Sequence, residues 1–483
     1  MNEVGRPKPG PTLDPDDWTE LRALGHRMLD DMLDDMARLR ERVVWKRVPE
    51  EVRASFREAL PTEPTAPETV YRDFQQRIRP YSSGNTHPRF MGWVQGGGTA
   101  IGALAEMLAA GMNSNCGGRD HGAIEVERQI THWAAQIFGF PTSASGIFVT
   151  GTSIANFIAL TVARTARLGT ASRRDGIAAS GRRLTAYVST AAHGCIRQAM
   201  ELAGFGSDAL RLIPTDHAHR IDLAALRAVI AADRAAGASP FFLVGNAGTV
   251  DIGAIDDLAA LAALAQAEGL WFHIDGALGG LALLSPALKP LFAGIERADS
   301  IAFDFHKWGQ IPYDAGFILV RDPEAHRAAF ASPAAYLRRE ARGLAGGSPW
   351  PCDFGPDLSR SFRALKTWFT LKVYGAARIG DEIARSCALA RYLAQRVAAE
   401  PQLELLAPVA LNVVCFRYRG AEADALNARI VAELQERSIA APSTTTINGR
   451  LAIRACLINH RTQPGDIDAL VAAVLDLGEI RAA

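Results

Sequence analysis

The strongest constraint on the fold is a series of short apolar runs that alternates with Ala- and Leu-rich stretches between about residues 90 and 320. The runs are IFVT (147–150), LTAYVS (184–189), LRLIP (210–214), FFLVG (241–245), LWFHI (270–274), SIAFD (300–304) and GFILV (316–320). Strands buried on both faces are typically apolar at nearly every position, so this alternation predicts a mostly parallel, seven-stranded α/β sheet with helices on both faces. In such sheets ligands bind beyond the carboxyl ends of the strands.

The N-terminal part of the chain has a different character. Residues 1 to about 20 are rich in Pro, Gly and Asp and are typical of an unanchored arm. An apolar stripe then predicts an amphipathic helix, whose apolar face packs either on its own core or on a partner subunit. The stripe consists of Leu21, Leu24, Met28, Met32, Leu39 and Val43.

Beyond about residue 370, a helix-rich stretch leads to two strand-like runs, 411–419 and 450–457, and a last helix at 467–478. This mixture is typical of a smaller α+β domain. We therefore expect an N-terminal helical segment (1–88), a large domain (89–370) and a small C-terminal domain (371–483).

Charge and composition narrow the classes of partner. Lys+Arg and Asp+Glu both number 52, which gives no electrostatic reason to expect nucleic acid or a membrane surface. No apolar run is long enough to cross a bilayer, and the N-terminus lacks the pattern of a signal or transit peptide. The six cysteines lack the close pairs of a zinc site. We expect a soluble, cytoplasmic protein that acts on a small molecule and holds no metal.

Polar residues at four strand ends together suit one cofactor. The turn in VTGTSIANF (149–157) aims N–H groups and hydroxyls at an anion, and His193, Asp275 and Lys307 follow or end three other strands. Taken singly, each is commonly an ordinary helix cap, a packed histidine or a solvated charge. Together they supply phosphate donors, a flat stacking ring, a carboxylate for a ring nitrogen and an amine for an aldehyde. Pyridoxal 5'-phosphate (PLP) requires that set.

At these residues the chain resembles the group II PLP-dependent amino acid decarboxylases, which include the aromatic-L-amino-acid, glutamate and diaminobutyrate enzymes. The resemblance rests on motifs in family order: HPRFMGW (87–93), NAGTVDIGAIDD (246–257), HIDGALGG (273–280), DFHKW (304–308) and SFRALKTW (361–368). It implies PLP fold-type I, related to aspartate aminotransferase, and PLP as the cofactor. It also implies a homodimer with shared active sites, which the N-terminal helix wraps.

The resemblance also implies roles for individual residues. Those at the cofactor are Lys307 as the Schiff-base lysine, Asp275 at the ring nitrogen, His193 stacked on the ring, Thr152, Ser153 and His306 near the phosphate, and Thr249 close by. Many family members have Asn two residues before the motif His, where this chain has Asp304. A carboxylate there would repel a phosphate unless a donor or a proton offsets its charge.

The substrate pocket implied by the resemblance contains Trp93, Val94 and Gln95, which with Gly96 stand in place of the Tyr-Phe-Pro-Thr stretch of the aromatic-amino-acid enzymes. Arg119 lies in a segment that the family brings to the site mouth from the neighbouring subunit. Its charge, like those of the two residues after it, either reads a polar substrate side chain or is solvated.

The expected reaction is decarboxylation of an L-amino acid to the amine and CO2. Family decarboxylases usually carry a Tyr on a mobile loop as proton donor, but residues 338–361 contain no Tyr, and Phe354 is the expected occupant of that position. In plant and insect relatives, Phe there accompanies oxidative conversion to an aldehyde, which is the main alternative. The loop register could also differ, with His193 or water as the proton donor. An aminotransferase using Arg454 and a non-catalytic PLP-binding protein are further alternatives.

Overall fold

The computed structural model describes residues 12–332, 338–420 and 422–482. The chain divides into two units, Met1–Ser83 and Gly84–Ala483. Residues 1–11 of the expected N-terminal arm lie outside the described residues, and the three-part division at 88/89 and 370/371 stays a prediction. No helix in the described ranges is long and apolar enough to cross a membrane.

The first unit is helical. Its helices are α1 (Trp18–Ala37), α2 (Glu50–Ser55) and α3 (Pro67–Asp73). Helix α1 begins where the Asp17 carboxylate accepts the backbone N–H of Thr19 at 2.6 Å, which satisfies a donor that the first turn leaves open. The predicted amphipathic helix therefore has a defined start.

The apolar stripe of this first unit is only partly covered. Leu24 and Leu39 are buried, whereas Leu21, Met28 and Val43 are exposed. The predicted packing of this stripe on a second subunit stays a prediction.

The second unit contains the seven-stranded sheet that the sequence predicts, with strand order β2-β8-β7-β6-β5-β3-β4. Its strands are β2 (Ser145–Val149), β3 (Leu184–Ser189), β4 (Leu210–Ile213), β5 (Ser239–Asn246), β6 (Trp271–Asp275), β7 (Ser300–Asp304) and β8 (Gly316–Val320). The neighbours from β7 to β4 pair in parallel, whereas β8 is antiparallel to both β7 and β2. The mostly parallel sheet is confirmed.

Helices cover both faces of this sheet. The helices of this part of the chain are α4 (Ala100–Met112), α5 (Gly122–Phe138), α6 (Thr152–Leu168), the short exposed α7 (Ser172–Asp175), α8 (Cys195–Leu202), α9 (Leu223–Ala235), α10 (Leu258–Glu268) and α11 (Pro323–Phe330). In β8, Phe317 and Leu319 pack in the core cluster that includes α5, while Ile318 and Val320 pack in the cluster that includes α6. Successive residues of one strand thus serve two opposite cores, which explains the continuous apolar runs.

The turn between β7 and β8 carries Lys307. Residues 305–315 connect the two strands without a helix, and a connection this short returns the chain antiparallel to the strand it leaves. Gly316, at the start of β8, lies against the start of α6, where a Cβ atom would sit 2.4 Å from the Cα of Gly151. The glycine therefore allows the lysine turn and the start of α6 to come close together.

A smaller five-stranded sheet has the order β1-β11-β12-β10-β9. Its strands are β1 (Phe90–Met91), β9 (Leu403–Leu405), β10 (Val413–Tyr418), β11 (Ala441–Ile447) and β12 (Arg450–Cys456). The accompanying helices are α12 (Arg363–Ala399), which is kinked at Gly375, α13 (Ala423–Glu436) and α14 (Pro464–Ala482). Strand β1 reaches this sheet from the beginning of the second unit and pairs in parallel with β11.

Candidate active site

A cavity of about 290 Å³ lies beyond the carboxyl ends of the parallel strands, where the fold predicts a ligand site. Side chains from the turn after β7, the end of β6, the start of α6 and the segment after β3 line it. These are four of the strand ends at which the sequence analysis placed functional residues.

Lys307 forms an ion pair at the base of this cavity. Its Nζ lies 2.8 Å from Oδ2 of Asp304, the last residue of β7. Burial opposes the positive charge of Lys307, but the adjacent Asp304 carboxylate outweighs that effect and raises the pKa of the lysine. Burial likewise opposes the charge of Asp304, and Lys307, with His306, lowers the pKa of this carboxyl.

Asp304 also holds the start of α6. Its Oδ1 accepts the backbone N–H of Thr152 at 2.9 Å, at the positive end of the helix dipole. The carboxylate that seemed ill-placed beside a phosphate therefore has two donors, Lys307 and the Thr152 amide. The offset of charge that the sequence analysis required is present.

Asp275 ends β6 and is almost fully buried. Its Oδ1 accepts the N–H of Ala277 at 3.0 Å, and its Oδ2 accepts Nδ2 of Asn156 at 3.1 Å. Burial raises the pKa of Asp275, although the Ala277 amide and then Lys307 act in the opposite direction. A buried carboxylate with so little compensation is well suited to face a cation in the cavity.

The start of α6 provides the predicted anion cradle. Thr152 and Ser153 both line the cavity, and the Thr152 hydroxyl is buried with no hydrogen-bond partner among the described residues. A buried polar atom without a partner in a native fold calls for an unseen ligand or water. An anion such as a phosphate would satisfy this hydroxyl.

Two histidines line the same cavity. The exposed His193 side chain uses Nδ1 to accept the N–H of Cys195 at 3.2 Å. The buried His306 accepts the N–H of Ala315 at 3.0 Å and packs against the ring of Tyr313, with centroids 4.3 Å apart. Burial lowers the pKa of His306, and the Asp304 carboxylate opposes that effect.

Of the remaining predicted residues, one lines the cavity and the others lie outside its lining. Val94 lines the cavity, but its neighbour Trp93 is exposed and Gln95 is half-buried outside the lining. Thr249 is buried and accepts the N–H of Ala254 at 3.0 Å, so only its two chain neighbours reach the cavity. Arg119 stacks on the ring of Trp350 at 4.4 Å rather than lining the cavity.

Phe354 lies elsewhere in its own chain. Its ring packs against His326, with centroids 5.0 Å apart, and it lines a separate cavity of about 270 Å³. Its assignment to the proton-donor position stays a prediction.

Sequence reasoning missed three residues beside the cavity. Tyr313 and Cys195 line it, and Asn156 contacts Asp275 from α6. Asn156 follows Thr152 by four residues, and positions i and i+4 of a helix share a face, so this spacing was a usable signal. The turn that holds Tyr313 has no periodic pattern that could have placed it.

A mostly parallel α/β sheet with a lysine, a buried carboxylate and an anion cradle at its strand ends defines a PLP-dependent enzyme. The donor set fits the cofactor, because the unpartnered Thr152 hydroxyl, the Asp275 carboxylate and the Lys307 amine match its phosphate, ring nitrogen and aldehyde. The comparison with known proteins then identifies the group. The chain belongs to the pyridoxal-dependent decarboxylase family, whose conserved domain matches residues 49–419.

Individual relatives agree with this family. The chain is 32% identical over 469 residues to an aromatic-L-amino-acid decarboxylase of Bacillus atrophaeus, covering 95% of this chain and 96% of the relative. It is 28% identical over 422 residues to a phenylacetaldehyde synthase of Arabidopsis thaliana, covering 84% of each. The solved structure of Oryza sativa TDC with PLP and tryptamine superposes with a TM-score of 0.89 at 25% identity, covering 98% of this chain and 100% of that one.

The predicted family, fold-type I architecture and cofactor are confirmed. The protein is a PLP-dependent amino acid decarboxylase.

Proposed function

We propose that this enzyme converts an L-amino acid to its amine and CO2, with Lys307 as the residue that holds the cofactor covalently. The observation that carries the proposal is that the Lys307 amine, the Asp275 carboxylate and the unpartnered Thr152 hydroxyl face one cavity. When bound, PLP supplies an electron sink for the pair of electrons that remains on the α-carbon as CO2 leaves.

Lys307 must lose a proton before its amine can attack a carbonyl carbon. The Asp304 carboxylate, 2.8 Å from Nζ, orients the lysine and stabilises its ammonium form, so the proton must leave to solvent or to the incoming substrate. Burial lowers the pKa of His306, which disfavours a second positive charge beside this pair. In this role Asp304 acts on the lysine rather than on the phosphate.

Asp275 keeps the cofactor's ring nitrogen protonated in this proposal. Its buried carboxylate is oriented by two N–H donors, Ala277 and Asn156, and its charge lacks a full counter-ion within the protein. A protonated ring nitrogen would provide that counter-ion.

His193 provides the flat ring over the cavity and, we propose, the final proton. Because its Nδ1 accepts the Cys195 N–H, the neutral ring carries its proton on Nε2. To give a proton to the α-carbon after CO2 has left, the ring must first take up a second proton from solvent, which breaks the Nδ1 contact with Cys195.

Aromatic L-amino acids are the substrates that we expect first. The relative with 95% coverage of this chain is named for them, and Val94, Val250 and Leu278 give the cavity apolar surface beside Lys307. The test is to incubate the holoenzyme with a panel of aromatic, acidic and basic L-amino acids, with product identification by mass spectrometry. Amine and CO2 in equal amounts support the proposal, and a keto acid with pyridoxamine phosphate contradicts it.

The second candidate is an oxygen-dependent aldehyde synthase, which takes an amino acid, O2 and water to an aldehyde, CO2, ammonia and hydrogen peroxide. The absence of Tyr from residues 338–361 and the similarity to phenylacetaldehyde synthase favour it. An oxygen electrode and a peroxide assay on the same reactions separate it from the first.

Arg454 does not support the aminotransferase alternative. Its guanidinium is buried and donates to the carbonyl oxygens of Asp251 at 3.0 Å, Trp93 at 3.0 Å and Val250 at 2.6 Å. An arginine committed to three backbone carbonyls is a poor grip for a substrate carboxylate. Its contacts instead fix the backbone that precedes Val94.

A further inference from the structure

A chain of buried polar side chains extends behind Asp275, away from the cavity. Asn156 comes from α6, His273 lies two residues before Asp275 on β6, and Ser300 begins the neighbouring β7. All three are at most 1% exposed. Such groups are costly to bury unless each is hydrogen-bonded, so each of the three is expected to have a hydrogen-bond partner.

The contacts form an unbroken series. Asn156 Nδ2 lies 3.1 Å from Asp275 Oδ2, and Asn156 Oδ1 lies 2.7 Å from His273 Nε2. His273 Nδ1 lies 2.9 Å from Ser300 Oγ, which in turn accepts the indole N–H of Trp271 at 2.8 Å. The second N–H of the Asn156 amide faces the sulfur of Cys195 at 3.2 Å.

The charge of Asp275 fixes the direction of every bond in the series. An ionised carboxylate only accepts, so Asn156 must present its NH2 group to Asp275 and its oxygen to His273. His273 must then carry its proton on Nε2 and accept at Nδ1 from the Ser300 hydroxyl. The Trp271 indole can only donate, so the Ser300 oxygen accepts from it and the Ser300 hydroxyl proton is directed to His273. One arrangement of protons therefore satisfies all five groups.

His273 keeps this arrangement because its ring is sealed in the protein. Its ring stacks on Phe242 with centroids 5.6 Å apart, and burial lowers the pKa of His273 to about 3. The ring is thus neutral across the working pH range and retains one acceptor nitrogen.

We propose that Asn156, His273 and Ser300 are positioning residues that orient the Asp275 carboxylate toward the cavity and keep it ionised. The proposal rests on the role of Asp275 proposed above. If the series were broken at His273, the Asn156 amide could rotate and turn its oxygen toward the carboxylate. The carboxylate would lose a donor, and its protonated form would be favoured. A protonated Asp275 could no longer stabilise a proton on the ring nitrogen.

The test uses holoenzyme reconstituted with PLP labelled with nitrogen-15 in the ring, because the chemical shift of that nitrogen distinguishes its protonated from its unprotonated form. His273→Phe keeps a flat ring against Phe242 but removes both nitrogens. We expect the signal to move toward the unprotonated value and kcat to fall about tenfold, with KM little changed. His273→Gln, whose amide can still donate to Asn156, should restore most of both.

Phe242→Leu is the control for packing alone, since it alters the same cluster without touching the hydrogen-bond series, and its nitrogen signal should match wild type. A folded His273→Phe enzyme with a protonated ring nitrogen and kcat within about twofold of wild type would overturn the proposal. If His273→Phe does not fold, Ser300→Ala decides by the same signal, because it removes the hydroxyl that donates to Nδ1 of His273 and so leaves the ring free to change tautomer. An unchanged signal in that variant also overturns it.

Asp275→Asn distinguishes a failure of the positioning series from a failure of the proposed role of Asp275 at the ring nitrogen. If its ring nitrogen stays protonated, the role of Asp275 itself is wrong. If Asp275→Asn loses the protonated signal while the His273 and Ser300 variants keep it, only the positioning series is wrong.

Discussion

The base of the cavity and the segment 338–361 are fixed in the molecule by different means. At the base, Lys307, Asp304 and Asp275 occupy or adjoin the ends of neighbouring strands, so the pairing of the sheet sets their positions. In the segment, the guanidinium groups of Arg119 and Arg339 lie 4.4 and 3.5 Å from the ring centroid of Trp350. The pattern of strands in the sequence predicts where the strand ends bring functional residues together, whereas the position of the segment also depends on Arg119, which lies far earlier in the chain.

The largest expected effect is at Lys307. Lys307→Ala should abolish CO2 release and the absorbance of the covalently held cofactor, because no other amine replaces Nζ. Lys307→Arg is the matched control for charge, because it preserves a cation beside the buried Asp304 carboxylate. Leaving that carboxylate without a cation would lower the free energy of unfolding by about 3–5 kcal/mol. Lys307→Arg should therefore fold like wild type and be equally inactive. Turnover in either variant would contradict the assignment.

Substitution of Asp275 should give the second largest loss of activity. Asp275→Asn retains the shape of the side chain but removes its charge, and we expect kcat to fall roughly a hundredfold or more. Asp256→Asn is the control, because Asp256 is also a buried carboxyl whose pKa is raised by burial, but it lies outside the cavity lining. Steady-state rates of CO2 release compare the two. Equal losses in both would mean that the effect is structural.

Substitutions in the segment 338–361 should lower the free energy of unfolding rather than the rate of decarboxylation. Arg360 is buried and donates to Glu127 at 3.1 Å and to the carbonyl oxygens of Cys116 and Phe148 at 2.7 and 2.8 Å. Arg360→Met leaves the Glu127 charge unpaired, and the free energy of unfolding should fall by about 3 kcal/mol or more in a denaturant titration. Arg437→Met, which breaks the exposed pair with Glu433, should cost less than about 1 kcal/mol. Similar losses would show that the buried pair does not anchor the segment.

Phe354 should give the smallest effect. It packs against His326 outside the Lys307 cavity, so we expect Phe354→Tyr to change amine yield and oxygen consumption by less than about twofold. Amine, aldehyde and peroxide are measured in parallel with the wild type. A clear gain of amine at the expense of peroxide would instead place Phe354 at the proton-donor position.

The sequence allowed the sheet and the cofactor residues to be predicted because both follow from local patterns. Every predicted strand of the large sheet overlaps an observed one, since buried strands must be apolar along their length. His273 was not singled out, because a polar residue inside a buried strand has no local sign of its partner. Asn156 was missed although its spacing of four residues from Thr152 placed it on the same face of the helix. Strand β1 was also beyond reach, since two residues pair with a strand some 350 positions later, at Ala441 and Pro442.

The placement of Gly316 against Gly151 has a consequence for how firmly the cofactor is kept. It lets the lysine turn lie directly against the start of α6, where Asp304 contacts both Lys307 and the Thr152 amide, so the amine of Lys307 and the hydroxyl of Thr152 face one cavity from adjoining segments. Two attachment points on neighbouring segments act at high effective concentration. When the cofactor dissociates from one of them, the other keeps it close enough to bind again. Escape requires both to open together. We therefore expect slow exchange of the cofactor even where either attachment alone is weak.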